Sequence, residues 1–351
     1  MKNTSFARSR GFTLIELMVG LVVGLVVLLA VTQVYVNWEG RQRTSSSKND
    51  AQISGTLAAY NLERDLRQAG VGFGSANSTL TTPGSFKLGC AVSETIGGKA
   101  VAFNFTPIQI VNGAGGAPDQ ISVLYGNSST HSLTVLVDNP VAATAKHLRD
   151  SAGFVVDDRV VLTTAANTCR MVTVTANNTD TKTFTHAEDT GTDTFDQAFN
   201  LGPEPTATVW SIGATTPTRP VLLKTHRLPV AGSIPAALDI AEGIVNLQAE
   251  YGYEVGGVIT WAAVLPAGTE WNSVLAVRYA VLARSRHYDG LLLATNPATP
   301  SWAAGQFVMT DISGAADSGG VVGGENNWRG YRHVVYEGVV SLRNVLWGRQ
   351  L

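Results

Sequence analysis

Apolar and polar positions along the 351-residue chain fall into three regimes. The first is a block: from Leu17 to Val36, twenty consecutive residues carry no charge. At 1.5 Å per residue a helix of that length spans about 30 Å, the hydrocarbon thickness of a bilayer. The second is a stripe. Behind Val36 the composition turns polar, yet nothing ends the helical pattern before Gly70. Ile53, Leu57, Tyr60 and Arg64 recur at helical spacing, with Leu62, Leu66 and Ala69 widening the face. Glu63 and Arg67 stand four apart, placed to pair, and Gly70 suits the residue that closes such a helix. A helix over 12–69 would be about 87 Å long, so its second half is expected to lie on a folded domain. Ser45, Ser46 and Ser47 are expected to weaken its middle and cause a break.

The third regime alternates. Gly-rich and Thr-rich stretches after Gly70 separate short apolar runs, and strands are predicted at Gln120–Tyr125, Leu133–Val137, Phe154–Leu162 and Met171–Thr175. Asn177–Asn200 is polar and predicts a solvated excursion, and Pro203, Pro205, Pro217 and Pro220 predict a long connection near 200–220 that divides the β region. Around Gly243 the pattern predicts a short helical turn leading into a strand, then a hairpin at Gly256-Gly257. Val274–Arg284 predicts a strand with Leu275, Val277, Tyr279 and Val281 on one face. Tyr331–Tyr336 and Val339–Leu346 predict closing strands interrupted by a bulge at Gly338.

Composition narrows the class. Charged residues are only 15% of the chain, which with abundant Gly, Ser, Thr and Asn suits an exported, loop-rich β protein. The formal charge of −2 carries no basic footprint for nucleic acid. Both cysteines, Cys90 and Cys169, fall beyond the apolar block, where an oxidising compartment would let them pair; the closed loop would then stabilise the fold by roughly 4 kcal/mol.

Glu16 lies inside the apolar register. A carboxylate there costs at least about 2.5 kcal/mol to bury, and no countercharge stands within the span. A free α-amine at the head of the same helix in another copy would supply one, provided the leader bearing Lys2, Arg8 and Arg10 is cut away after Gly11. The basic leader predicts a cytoplasmic N-terminus, and nothing after Val36 offers an ordinary small-x-small cleavage site. Loss of the leader leaves 22 of the 25 basic residues against 27 acidic, a charge of −5. Within the block, Gly20 and Gly24 form a G-x-x-x-G pair that permits close helix packing.

Arg10-Gly11-Phe12-Thr13-Leu14-Ile15-Glu16-Leu17-Met18-Val19 resembles the prepilin motif of type IV pilins and type II secretion pseudopilins. The resemblance implies that prepilin peptidase cuts after Gly11, that Phe12 becomes the N-methylated terminus, and that Glu16 registers one subunit against the next. One departure is that Gln33 stands where major pilins commonly carry a kinking proline. Three further segments resemble PilW-type minor pilins: Ala241–Tyr251, Val277–Ser285 and Val339–Asn344. Leu62–Gly70 and Ala117–Val123 add to the likeness, and J-type pseudopilins share several of these segments.

Enzyme signatures are missing. The six histidines show no i, i+4 pair for zinc, the acidic residues of 177–200 do not match an EF-hand, and no phosphate-binding loop is present. Asp317-Ser318-Gly319-Gly320 reads as a flexible Gly-rich loop rather than a nucleophile loop. No cofactor, metal or catalytic residue is expected.

The fold class expected is α+β and pilin-like: a long N-terminal helix, transmembrane then amphipathic, packed on an antiparallel β-rich globular domain. Its parts are a leader at 1–11, a transmembrane helix at 12–36, an amphipathic continuation at 37–70 and a periplasmic domain at 71–351. The function the resemblance implies is a minor pilin that helps initiate pilus assembly from the inner membrane. Its partners would be other minor pilins, the major pilin, the prepilin peptidase and methyltransferase, the assembly platform and membrane lipid. The rivals are a type II pseudopilin and a membrane-anchored adhesin or enzyme.

Overall fold

A computed structural model describes residues 13–74, 88–130, 134–142, 144–188, 190, 193–216, 219–230, 232–312 and 324–347. Gly11, Phe12, all of Thr79–Gly84, Leu133 and the Asp317–Gly320 loop lie outside the described residues. Two compact units are present, Met1–Asn49 and Asp50–Leu351.

Helix α1 runs unbroken over Leu14–Gln68, so the break expected at Ser45–Ser47 does not occur in its backbone. Three serines lower helix propensity by only a few tenths of a kcal/mol each, too little to overcome propagation from both sides. Within the second unit the helix buries Ala51, Ala58, Leu62 and Leu66 completely, and Ala69 just past its end; the leading members of the expected stripe, Ile53, Leu57 and Tyr60, are exposed, so the buried face is the one that Leu62, Leu66 and Ala69 were expected only to widen. Gly70 takes a φ of +82° at the helix end, and the Asn344 side chain donates to the terminal carbonyls of Arg67, Gln68 and Ala69 at 3.1–3.4 Å.

Everything beyond is antiparallel. Strands β1 (Ala91–Ile96) and β2 (Lys99–Asn104) form a hairpin, followed by β3 (Ile108–Val111) and β4 (Gln120–Tyr125). Six strands then close a barrel: β5 (Val135–Ala142), β6 (Ala145–Leu148), β7 (Arg159–Thr163), β8 (Cys169–Asn178), β9 (Thr183–His186) and β10 (Gln197–Gly202). Strands β11 (Thr206–Thr216), β12 (Arg219–His226) and β13 (Leu238–Glu242) return beside β4 to complete a five-stranded sheet ordered β13-β12-β11-β4-β3. A four-stranded sheet ordered β15-β14-β16-β19 follows, from β14 (Ile244–Val255), β15 (Val258–Ala262), β16 (Val274–Arg284) and β19 (His333–Ser341). A small hairpin, β17 (Ser301–Trp302) with β18 (Gly305–Gln306), and the short helices α2 (Gly290–Thr295) and α3 (Arg343–Trp347) complete the described chain.

Alternation explains how the barrel joins the rest. Val160, Leu162, Val172, Val174 and Ala198 point into the barrel, while Val161, Met171, Phe199 and Leu201 point outward into a second core with Phe73 and Phe105. The rings of Phe105 and Phe73 stack at 4.7 Å, and Phe199 meets Phe105 edge-on at 4.9 Å. Cys90, just ahead of β1, is bonded to Cys169 at the start of β8, tying the hairpin to the barrel.

Several expectations fail for identifiable reasons. The polar stretch 177–200 is not a solvated excursion, because it contains β9 and the wholly buried β10. Asn200 accounts for the misreading: it is fully buried, but its amide donates to Asp158 and to the Gly153 carbonyl, both at 2.7 Å, and its oxygen accepts from Gly202. Phe154–Asp158 forms a turn, with Asp157 at a φ of +73°, so β7 starts only at Arg159. Pro203 and Pro205 precede β11 and Pro220 lies within β12, so the described part of this stretch is strand rather than a long connection, and Pro217 lies outside the described residues. Gly243, at a φ of +79°, joins two strands with no helical turn. Gly338 is no bulge: the β16–β19 register runs through it unshifted, and a Cβ there would sit 2.9 Å from the Tyr279 hydroxyl. The segment predicted as its following strand becomes α3 from Arg343.

Candidate assembly site

The head of α1 is closed by Thr13 and Glu16. The Glu16 carboxylate accepts from the Thr13 backbone N–H and hydroxyl, each at 3.1 Å, while the Thr13 hydroxyl accepts from the Glu16 N–H at 3.3 Å. This is a capping box, in which each side chain satisfies a backbone donor that the first turn leaves open. Glu16 therefore has hydrogen-bond partners within its own chain. What the box does not supply is a countercharge.

Behind it, Leu14–Tyr35 is long and apolar enough to cross a membrane and is wholly exposed. The Thr32 hydroxyl turns back onto the Leu28 carbonyl at 2.9 Å, so this polar position of the span is satisfied within the helix. Nothing lies within 4 Å of where Cβ atoms would project from Gly20 and Gly24.

In the second unit a different carboxylate is buried. Asp65 is 1% exposed and meets Lys224 Nζ at 2.6 Å, with Trp210 Nε1 donating to the same oxygen at 3.2 Å and Thr208 at 3.5 Å. The ammonium also lies over the Trp210 ring, 5.3 Å from its centroid. Around this pair, burial pushes the Tyr125 phenol above its usual range, with the negative charge of Asp65 adding to the effect. Burial, then the Lys224 charge, lowers His226. The sequence reading missed the pair, although Asp65 stands in the register of Leu62, Leu66 and Ala69. The signal that marks Glu16, an acid on an apolar face, was present there too.

Two of the segments that carry the PilW likeness meet at a second acid. Asp119 accepts from the backbone N–H groups of Gly113 and Ala249, both at 2.7 Å, and its own N–H donates to the Leu247 carbonyl at 2.7 Å. Burial raises its pKa against the lowering effect of these bonds. Gln248 donates to the Ala117 carbonyl at 2.9 Å, so the loop ahead of β4 is stitched to β14. From the third segment, Arg278 pairs with Glu250 across β14 and β16 and covers Trp261 at 5.0 Å. Among the described residues no cluster of His, Cys, Asp or Glu could hold a metal ion.

Residues 209–344 match the family model described as Type IV Pilus-assembly protein W, and residues 6–32 match the prokaryotic N-terminal methylation motif. The two matches lie at opposite ends of the chain, the first within the β-rich unit and the second over the head of the apolar span. The PilW domain begins inside β11 and takes in Lys224, β14, β16 and β19, so the partner of Asp65 belongs to it. No curated protein matches the chain. Among solved structures, the type IV-like pilin TTHA1219 from Thermus thermophilus is 12% identical over 54% of this chain and 84% of its own, with a TM-score of 0.22, too low to establish a shared fold.

Proposed function

We propose that the protein is a minor pilin, a structural subunit that helps initiate a type IV pilus. The observation that carries this reading is an exposed apolar helix, headed by a prepilin methylation motif, on a chain that also contains a PilW domain. In this reading prepilin peptidase cuts after Gly11 and Phe12 is N-methylated. The chain then waits in the inner membrane with its β domain in the periplasm. Assembly transfers Leu14–Tyr35 from lipid to a bundle of like helices in which Gly20 and Gly24 allow close approach. Glu16 exchanges the neutral Thr13 contacts for the α-amine of a neighbouring subunit, a charged donor and the stronger partner. Other minor pilins, the major pilin and the assembly platform are its partners, and its role is structural rather than catalytic.

The test is Glu16→Gln, which keeps the capping geometry and removes the charge. The variant is expected to be processed and to accumulate in the membrane but to be lost from sheared pili. Mass analysis of the mature N-terminus is expected to show a methylated Phe12. An intact leader, or pili that incorporate the variant normally, would end this reading.

A further inference from the structure

The β1–β2 hairpin and the five-stranded sheet enclose a cleft of about 480 Å³, within the size range of small-molecule sites. Alternation sets its floor. Ile110, Ile121 and Val123 enter the core that α1 completes, which turns Gln109, Val111 and Ser122 to the opposite face. Gln109 pairs with Ser122 across β3 and β4, and Ser122 with Val209 across β4 and β11, so an amide, a hydroxyl and an apolar side chain stand in one row. The wall is half-buried Phe103 of β2, with Asn104 beside it and Ser93 on β1. Two links hold wall and floor together. The Asn104 amide donates to Gln109 Oε1 at 2.9 Å, and Cys90 at the root of the hairpin is bonded to Cys169.

Among the described residues that line the cleft, Arg227, just past β12, is the one charged side chain. Its backbone N–H donates to the Ala207 carbonyl at 2.8 Å, which fixes it beside β11, and no described carboxylate pairs with it. A guanidinium without an acid at its side favours an anionic ligand, which it binds through charge-assisted hydrogen bonds. The remaining polar groups are neutral. Asn104 and Gln109 spend one donor and one acceptor on each other and keep an amide oxygen and an amide N–H, while Ser93 and Ser122 each donate and accept. Vicinal hydroxyls, each a donor and an acceptor, match that set. An extended peptide fits less well, because the Tyr251 hydroxyl covers edge strand β3 at Ile110, accepting from its N–H and donating to its carbonyl.

We propose that this cleft binds an acidic polysaccharide. A sugar carboxylate meets Arg227, ring hydroxyls meet Asn104, Gln109 and Ser122, and the apolar face of a ring lies on Phe103. β3 and β11 are two strand spacings apart, about 10 Å, longer than one sugar ring, so the ligand is a run of such units rather than a single one. Of the residues invoked, only Val209 and Arg227 fall within the stretch that matches the pilus-assembly family. The site therefore belongs to the part of the β region that this match does not describe.

The probe is immobilised polygalacturonate, offered to the full chain in neutral detergent. Retention is expected there, but neither on dextran, which has hydroxyls without carboxylates, nor on polyglutamate, which has carboxylates without a sugar. The chain is itself net negative, so charge alone opposes binding to both acidic polymers. Arg227→Gln is expected to weaken retention on the order of tenfold, the worth of one charge-assisted hydrogen bond. Ser122→Phe, which fills the floor, should abolish it. Arg149→Gln, at an exposed arginine of the barrel, should change nothing. Circular dichroism checks that each variant is folded. A folded chain that polygalacturonate does not retain, equal retention on polyglutamate, or equal losses from Arg149→Gln and Arg227→Gln overturns the proposal. None of these bears on the pilus reading, which Glu16→Gln tests separately.

Discussion

Two stretches of one helix, Leu14–Tyr35 and Asp50–Gln68, treat charge and apolar surface in opposite ways. The first exposes all its apolar side chains, and its carboxylate, Glu16, is held by nothing stronger than Thr13. The second buries its apolar face in the β domain and gives its carboxylate, Asp65, a lysine, an indole and a hydroxyl. A polar group on an apolar face is therefore not by itself a sign of assembly. The distinction is whether the rest of the chain completes it. Folding stability resides in the second stretch, and the first is left for lipid or for other helices.

The comparison can be attacked at its strongest point. Asp65→Ala leaves Lys224 buried without its carboxylate and is expected to cost about 3–5 kcal/mol in urea unfolding, with a Lys224→Met second change recovering part of the loss. A loss below about 1 kcal/mol would mean that the pair is no more integral than a surface contact. The glycines give a smaller and sharper contrast. A Cβ at Gly55 would meet the Tyr336 ring at 2.2 Å, whereas at Gly24 it meets nothing. Overpacking of about 1–3 kcal/mol outweighs the gain of about 1 kcal/mol in helix propensity, so Gly55→Ala lowers the unfolding midpoint. Gly24→Ala should leave the midpoint of the β domain unchanged. Equal shifts for the two would erase the difference between the halves.

The last expected effect is in pH. Burial, then the neighbouring Arg284 charge, lowers His333 from 6.5 to about 3. Between those values the unfolded chain binds a proton that the folded one does not, so stability is complete above about pH 6.5 and declines as pH falls toward 3. Urea midpoints at pH 7.5 and pH 5 should show the decline, and His333→Asn should flatten it. An unchanged slope would assign the effect to other groups.

The parts of this architecture legible in the sequence are those whose pattern is local. Gln120–Tyr125 and Val274–Arg284 are strands at the predicted bounds, the Gly256-Gly257 turn joins β14 to β15, and Gly70 closes α1. The Cys90–Cys169 bond follows from compartment and count. What composition hid was long-range. β10 looks solvated because Gln197 and Asn200 are polar, and only the fold brings Asp158 to Asn200. Asp65 looked like one more helix charge because Lys224 lies on β12, far along the chain. Gly338 invited a bulge because the sequence does not show that Tyr279 lies opposite.

The barrel has a consequence for the order of folding. Tyr125 at the end of β4 pairs with Thr206 at the start of β11, and the whole barrel lies between them. Zipping those two strands first would mean closing a loop of about 80 residues before any of its contacts had formed, whereas a barrel that collapses early already holds its two ends side by side. Refolding should accordingly show the barrel protected from hydrogen exchange before the sheet that frames it.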